Sequence, residues 1–459
     1  MASPFLVCME YKAVKKQIKK DLYFQVASEW PNALTGVENI EVGLSGGLDS
    51  IVLLHILWRM QVEKNFCLSA VHVHHGLCDQ ADDWSEFCAK LCAKLNIPLR
   101  VAKVCVETHG LGLEAGARDA RYKVYSESTA GVLALAHHAD DQVETFYLAT
   151  LRGGGTRALA AMPRLRPLNS RVTLWRPLLS ISRALLAGYR DDWQLSFVDD
   201  PSNEDIGLLR NWIRHVGLPV WQQRVPNLNQ HVRASVSILQ DECAILEEIA
   251  QEDWQSVHQQ GWFCCEKWGV LSGPRRRQLL VLLAKKHCLG TPSIQSVLDF
   301  EKILLASKNK QVEWSLPLGK VYAAHKRLFI MQTGWELGLT WIAQPLNNSG
   351  SLYNELVKKG FTLRQHPFGI REDVLQEIGL IRAVHADDQV LLTVGHKSVR
   401  KILQERRIPV FVRKYWPVIV DSENQCIAIA NIWVSRHHGC LNGFLPVFEK
   451  FNSYSVEPK

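Results

Sequence analysis

The first 150 residues alternate short runs rich in β-branched and apolar residues with amphipathic stretches whose apolar positions recur every three or four residues. Few architectures accept that alternation. A strand that returns parallel to its neighbour needs a crossover long enough to hold a helix, so the pattern predicts an α/β fold, a doubly wound and mostly parallel sheet with helices on its faces. Strands are expected at Ile40–Leu44, Leu68–Val73, Leu99–Val106 and Gly131–Ala136, and helices near 49–60, 82–95, 113–128 and 140–151. Asp82-Asp83 and Asp140-Asp141 stand where helices begin, at the positive end of the helix dipole. Ligands of such a sheet bind beyond the carboxyl ends of its strands. Ser45–Ser50, His72–Leu77 and Ala136–Thr145 fall at such ends.

Downstream the text is less regular. A loose, proline-bearing region, Met162–Pro177, precedes helical text around 180–193, a turn at Asp199–Asn203, and a long helical pattern from Pro226 to about 257. Residues 258–335 read as a small mixed unit in which Pro274-Arg275-Arg276-Arg277 opens a helix with Leu279, Leu280, Leu282 and Leu283 facing inward. Asn347–Ser351 has the composition of a linker, and short strands around one helix at 397–406 fill the remainder. The expected division is a catalytic domain at 1–226, a helical linker with a small central domain at 227–346, and a basic C-terminal domain at 352–459.

Composition removes other classes. With 47% apolar and 22% charged residues, and only 29 Gly and 18 Pro in 459, the chain is neither disordered nor fibrous. No run of eighteen apolar residues offers a membrane span, and Met1–Lys20 reverses the order of an export signal, so a cytoplasmic protein is expected. Twelve cysteines without a Cys-x-x-Cys pair read as reduced thiols; Cys88 and Cys92, one helical turn apart, suit core packing better than a metal.

Ser45-Gly46-Gly47-Leu48-Asp49-Ser50 follows the first strand and opens a helix. Adjacent glycines let backbone N–H groups converge on an anion, the helix start adds positive potential, and two serines add hydroxyls. A carboxylate beside a polyphosphate is repulsive unless a cation lies between them, which points to Mg²⁺ held by Asp49. Neither the Walker A frame nor the dinucleotide Gly-x-Gly-x-x-Gly is present. The plainer alternative is a glycine-rich turn capped by serine. The loop resembles that of the PP-loop (N-type) ATP pyrophosphatases, and the resemblance implies that Ser45, Gly46, Gly47, Leu48, Asp49 and Ser50 bind the pyrophosphate part of ATP while a substrate is adenylated.

Three further segments resemble the tRNA(Ile)-lysidine synthetase family. His72-Val73-His74-His75-Gly76-Leu77 stands where that family has His-Val-Asn-His-Gly-Leu-Arg, with His74 replacing the Asn and Cys78 the Arg. Glu114-Ala115-Gly116-Ala117-Arg118-Asp119-Ala120-Arg121-Tyr122 resembles Glu-Ala-x-Ala-Arg-x-x-Arg-Tyr; on a helix Glu114, Arg118, Arg121 and Tyr122 share a face. The resemblance implies a catalytic Arg118 near the α-phosphate, against the alternative of an ion pair with Glu114. The third segment, Ala136–Thr145, holds His137, His138, Asp140, Asp141 and Glu144. As a metal site it is poorly disposed, and helix capping by the aspartates is the simple alternative. The resemblance implies instead a pocket where Asp140, Asp141 and Glu144 offer negative charge to Mg²⁺ or to a lysine ammonium, and where catalytic His137 or Asp141 accepts the amine proton. Arg152–Thr156, Arg176–Leu179, Asp200–Asn203 and Arg210-Asn211-x-x-Arg214 also match, with Arg210 and Arg214 expected on RNA.

Between residues 391 and 416 seven basic residues, Lys397, Arg400, Lys401, Arg406, Arg407, Arg413 and Lys414, face one acid, Glu405, in a chain whose net charge is only +7. Such clustering suits phosphates, and the interleaved Phe411, Tyr415 and Trp416 suit either base stacking or a core. This text resembles the C-terminal domain of the same family. The activity implied is ATP-dependent ligation of free L-lysine to C2 of the wobble cytidine of an isoleucine tRNA with a CAU anticodon, through an adenylated cytidine, which shifts codon reading from AUG to AUA; a homodimer is compatible. A thiolating relative of the usual kind would need a persulfide cysteine or a Cys-x-x-Cys cluster site, and GMP or NAD synthetases a glutaminase domain, none of which has a counterpart here; another tRNA-modifying adenylating enzyme, such as a thiolase that uses a separate sulfur carrier, is the alternative. A non-catalytic RNA-binding protein would not need the intact loop.

Overall fold

The structure, a computed structural model, describes residues 22–76, 80–106, 113–259, 261–307, 311–339, 341, 351–392 and 395–454. The chain divides into two units, Met1–Leu246 and Glu247–Lys459.

In the first unit, helix α1 (Leu22–Ser28) precedes β1 (Asn39–Gly43), α2 (Leu48–Lys64), β2 (Cys67–His74), α3 (Ala81–Leu95), β3 (Leu99–Lys103), α4 (Leu113–Ser126), β4 (Val132–Ala134) and α5 (Ala139–Leu151). Next come β5 (Leu165–Pro167), β6 (Thr173–Trp175) and α6 (Arg183–Asp192). The six strands lie in the order β3-β2-β1-β4-β6-β5, and every neighbouring pair is parallel except β5 with β6. The predicted strands and helices are all found, though the third strand stops at Lys103 rather than Val106. Met162–Pro177 is not merely loose, because it holds β5 and β6. Strands of three residues are too short to show a period of two, and the prolines mask them further.

Helix α2 buries every residue from Ser50 to Leu57, His55 included. A helix apolar all round must be covered all round. The sheet covers one side and Leu22, Val26, Leu186 and Tyr189 of α1 and α6 the other, with His55 Nδ1 2.9 Å from the Tyr189 hydroxyl. Cys88 and Cys92 sit in this core, where burial pushes their thiols up to about 12 and about 11. Since β1 lies between β2 and β4, the topological switch point lies beyond the carboxyl ends of β1 and β4.

The helix Leu228–Val257 crosses the division of the chain. In the second unit a five-stranded antiparallel sheet, 258–332, packs against helices Gly273–Lys286 and Ile294–Ala306, with Leu279, Leu280, Leu282 and Leu283 buried as expected. A second core gathers Leu339 to Phe451 around Trp416 and Phe451, both fully buried. The expected helix at 397–406 is Val399–Glu405, but it is not alone. Leu352–Lys358, Glu372–Gln376, Val410–Arg413 and Glu449–Asn452 are helices of one or two turns, too short for periodicity to reveal. No described helix is long and apolar enough to cross a membrane.

Candidate active site

Beyond β1 the chain turns on Gly46, whose φ of +90° favours glycine and whose added Cβ would lie 2.8 Å from Val198 Cγ2. Gly47 then caps α2 in extended conformation. A ring of hydrogen bonds holds the turn: Ser50 Oγ accepts from Gly46 N–H (3.2 Å) and donates to Gly47 C=O (2.9 Å), while Ser45 Oγ accepts from Gly47 N–H (3.3 Å) and donates to Ser50 Oγ (3.1 Å). Two outside groups brace it. Val198 N–H donates to Gly46 C=O (3.0 Å), and His72 Nδ1, at the end of β2, lies 2.8 Å from Leu44 C=O. Burial holds the His72 imidazole below its ordinary pKa despite that carbonyl, so the neutral ring donates. Asp49 projects from the first turn of α2, and its Oδ1 is buried with no hydrogen-bond partner. A buried carboxylate oxygen left bare calls for a cation or a donor.

His138 sits where β4 gives way to α5. It caps the helix, accepting Asp140 N–H on Nδ1 (3.2 Å), while its own N–H donates to Asp141 Oδ2 (2.9 Å). Its Nε2 faces Asp49 Oδ2 at 3.6 Å and Asp141 Oδ2 at 3.5 Å. Burial works against its charged form, but the Asp49 contact and the charges of Asp141, Asp49 and Asp140 outweigh burial and raise its pKa. His137, expected to be the catalytic histidine, lies in a different environment. Burial, reinforced by Arg176, Arg210 and Arg118, pushes the His137 imidazole down to about 3 against the pull of Asp141. The cap turns His138 toward Asp49 and leaves His137 against Arg176.

The acids of this segment are less open than expected. Asp141 Oδ1 accepts from Arg210 (2.8 Å) and lies 3.5 Å from Arg214 Nη2. Glu144, 1% exposed, accepts from Arg210 Nε (2.8 Å) on one oxygen and from Arg214 Nε (2.6 Å) on the other. Burial would raise the Asp141 pKa, yet His138, Arg210 and His137 hold it below the usual range. Arg210 lies on Leu209–Trp212 and Arg214 on the π-helical turn Ile213–Gly217 that follows it, a local form common at functional sites. Both arginines, expected on RNA, turn inward, because buried carboxylates require paired charge. Asp140 is a brace: its oxygens accept from Arg183 N–H (2.8 Å) and from Asn229 (3.4 Å).

Arg118 is exposed, its Nη2 donating to the Tyr122 hydroxyl (3.3 Å), and the Glu114 side chain lies outside the described residues. His74, which replaces the usual Asn, pairs with Asp82 (3.1 Å) beside Lys103, and Cys78 also lies outside the described residues. Arg176, mentioned in the sequence only as part of a matching string, is buried and donates to His137 Nδ1 (3.3 Å).

In the second unit, helix Val399–Glu405 turns Val399, Ile402 and Leu403 inward and leaves Arg400 and Lys401 exposed, with Arg406, Arg407 and Lys414 exposed after it. Lys397 is tied to Glu405, and Arg413 donates to Ile408 C=O (2.7 Å). The aromatics belong to the core rather than to a stacking surface. Trp416 is fully buried, Phe411 stacks on Tyr322 with centroids 4.1 Å apart, and Tyr415 meets the edge of Trp335.

Comparison with known proteins agrees with this layout. Residues 14–220 match the PP-loop domain and residues 388–443 the TilS substrate C-terminal domain. The tRNA(Ile)-lysidine synthase of Neisseria meningitidis serogroup B is 39% identical over 92% of this chain and 98% of its own. Its counterpart in Chromobacterium violaceum is 35% identical over 91% and 97%, and that of Pseudomonas fluorescens 32% over 86% and 90%. With the glycine turn at the switch point, an ATP-using loop domain at one end and a basic substrate domain at the other, the chain belongs to the tRNA(Ile)-lysidine synthase family.

Proposed function

We propose that the chain ligates free L-lysine to C2 of the wobble cytidine of a CAU-anticodon isoleucine tRNA, splitting ATP to AMP and pyrophosphate. The observation that carries this reading is the identity shared with lysidine synthases over nine-tenths of both chains, the phosphate turn and the basic domain included. The cytidine O2 bonds to the α-phosphorus and pyrophosphate leaves; the ε-amine nitrogen then bonds to C2, the C2–O2 bond breaks, and AMP departs with that oxygen.

The turn Ser45–Ser50 holds the pyrophosphate part of ATP, and Arg118 approaches the α-phosphate. Mg²⁺ fits Asp49, whose bare, buried Oδ1 would hold it, and would supply neutralisation of phosphate charge. Asp141 and Glu144 with Arg210 and Arg214 offer both signs of charge in one place, which suits a free amino acid: carboxylates for ammonium, guanidiniums for its α-carboxylate. Asp140 supports this cluster from behind. The lysine amine, with an ordinary pKa of about 10.4, must shed a proton before attack. His137 and Asp141, both held at low pKa, orient the amine better than they deprotonate it.

Arg400, Lys401, Arg406, Arg407 and Lys414 hold tRNA phosphates, with Lys397 and Arg413 shaping that surface. The division into catalytic (1–226), central (227–346) and C-terminal (352–459) parts assigns adenylation to the first and tRNA binding to the others. The protein works in the cytoplasm, and a homodimer is tested by its mass in solution. The test of the reaction is mass spectrometry of nucleosides after incubation with the isoleucine tRNA, ATP and isotopically labelled lysine. Labelled lysidine is expected; unmodified cytidine, or sulfur in place of lysine when a sulfur donor is added, would overturn the reading.

A further inference from the structure

Helix α5 carries both carboxylates of the charged cluster, so its rotation about its own axis decides where Asp141 and Glu144 point. Between them Gln142, 6% exposed, spends its whole amide on one residue: Oε1 accepts from Met162 N–H (2.9 Å) and Nε2 donates to Met162 C=O (2.8 Å). The same carbonyl accepts from Gln240 Nε2 (3.2 Å), which also donates to Ala160 C=O (3.0 Å). The next carbonyl, that of Pro163, accepts from Arg176 (2.8 Å). Residues 160–163 are thus tied to α5, to the helix Leu228–Val257 and to the end of β6. In their midst Ala161 holds a φ of +52°, a left-handed conformation that an alanine adopts only where its surroundings impose it.

Gln240 does not act alone on the long helix. Val232 and Val236, earlier on the same face, are buried with Val143 of α5 and with Ile213 of the π-helical turn that carries Arg214. At the near end of that face Asn229 Nδ2 reaches Asp140 Oδ1 (3.4 Å) and is itself held by Gln222 (2.8 Å). One helix face therefore grips both halves of the cluster, the carboxylates through α5 and the guanidiniums through Ile213. Gln142 and Gln240 are the polar part of that grip, and neither amide brings charge to it. A satisfied buried amide stabilises little more than an apolar side chain of the same shape; what it adds is direction.

We propose that Gln142 and Gln240 are positioning residues for the lysine site: through residues 160–163 they lock α5 against the long helix, and so fix the spacing between the carboxylates that meet the ammonium and the guanidiniums that meet the α-carboxylate. This role rests on the proposed function, which gives Asp141, Glu144, Arg210 and Arg214 to free lysine. A ligand held at both ends depends on such a lock, since its two contacts fail together when the spacing drifts. The phosphate turn is held by its own ring of hydrogen bonds and does not depend on it.

The test compares the full-length protein with Gln240→Leu and Gln240→Lys in lysidine formation on the isoleucine tRNA, with KM measured separately for lysine and for ATP. Gln240→Leu removes the donor and should raise the KM for lysine about tenfold while the KM for ATP stays within about twofold. Gln240→Lys keeps a donor within reach of the two carbonyls and should stay within about threefold of the parent in both. A merely structural role would lower kcat through loss of folded enzyme and leave both KM values where they were. That result, an equal rise in the two, or a Gln240→Lys variant as impaired as Gln240→Leu overturns the proposal. Should Gln240→Leu fail to fold, Gln240→Glu, of the same size and unable to donate, is read the same way. A parent that forms no lysidine defeats the proposed function itself, whereas a parent that forms it beside a Gln240→Leu variant with an unmoved lysine KM defeats only the positioning role.

Discussion

In the first unit Arg210 and Arg214 lie against Asp141 and the buried Glu144, whereas on helix Val399–Glu405 Arg400 and Lys401 face solvent above Val399, Ile402 and Leu403. The same residue types are used under different physics. An interior charge must be matched atom by atom, so each partner is held in one geometry and removal of one leaves the other stranded. A surface charge needs no partner and acts through its number and its field, which salt screens. The first unit should therefore respond to single substitutions steeply, and the basic helix gradually.

The steepest break is expected at Asp49. Asp49→Ala should reduce release of AMP and pyrophosphate by about a hundred- to a thousandfold, the scale of losing a principal electrostatic group, while the melting temperature barely moves because the buried Oδ1 makes no hydrogen bond that would be lost. Retained turnover would remove the cation role. Next in size, Glu144→Ala should cost about 3–5 kcal/mol of stability, because Arg210 and Arg214 lose the carboxylate they share. Denaturant unfolding reads this directly, and a loss below about 1 kcal/mol would mean that the cluster behaves like a surface pair.

The second unit has an interior pair of its own, which sharpens the contrast. Asp388 accepts from Arg382 through both oxygens (2.7 and 2.9 Å) and from His385 N–H (2.6 Å). Burial would raise its pKa, but those donors prevail and lower it. Its stabilisation is therefore complete above the unfolded carboxyl pKa of about 3.9 and is lost as pH falls through the lower folded value. Asp388→Asn should cost about 1.5–3 kcal/mol at neutral pH and remove that part of the acid-induced loss below pH of about 4. Thermal unfolding between neutral and acid pH checks both. The mildest effect is expected from Arg400→Ala with Lys401→Ala. tRNA affinity should fall about tenfold in low salt, with a shallower salt dependence and unchanged melting; an effect independent of salt would contradict the surface reading.

Much of the site was legible because its determinants are local. Ser45–Ser50 announces itself by glycines after a strand and before a helix, and its structure is a closed ring among those same six residues. The exposed face of Val399–Glu405 follows from helical spacing alone. What the chain left open was decided by neighbours in space. His137 and His138 look alike in the text, yet one donates its backbone to a capping box facing Asp49 and the other packs against Arg176. Phe411 and Tyr415 sit among basic residues in sequence but against Tyr322 and Trp335 in space.

By itself the sequence determined the α/β alternation, the phosphate turn, the family and the basic helix, since each depends on residues within a few turns of chain. Tertiary structure alone decided how the charges are shared: Arg210 and Arg214 reach Glu144 across 66 and 70 residues, and Arg118, Arg166 and Arg176 meet at Tyr122 from three different elements. The reason is that periodicity reports which face of an element turns inward, whereas a buried charge is governed by distance and by what else has been taken out of water, neither of which is written along the chain.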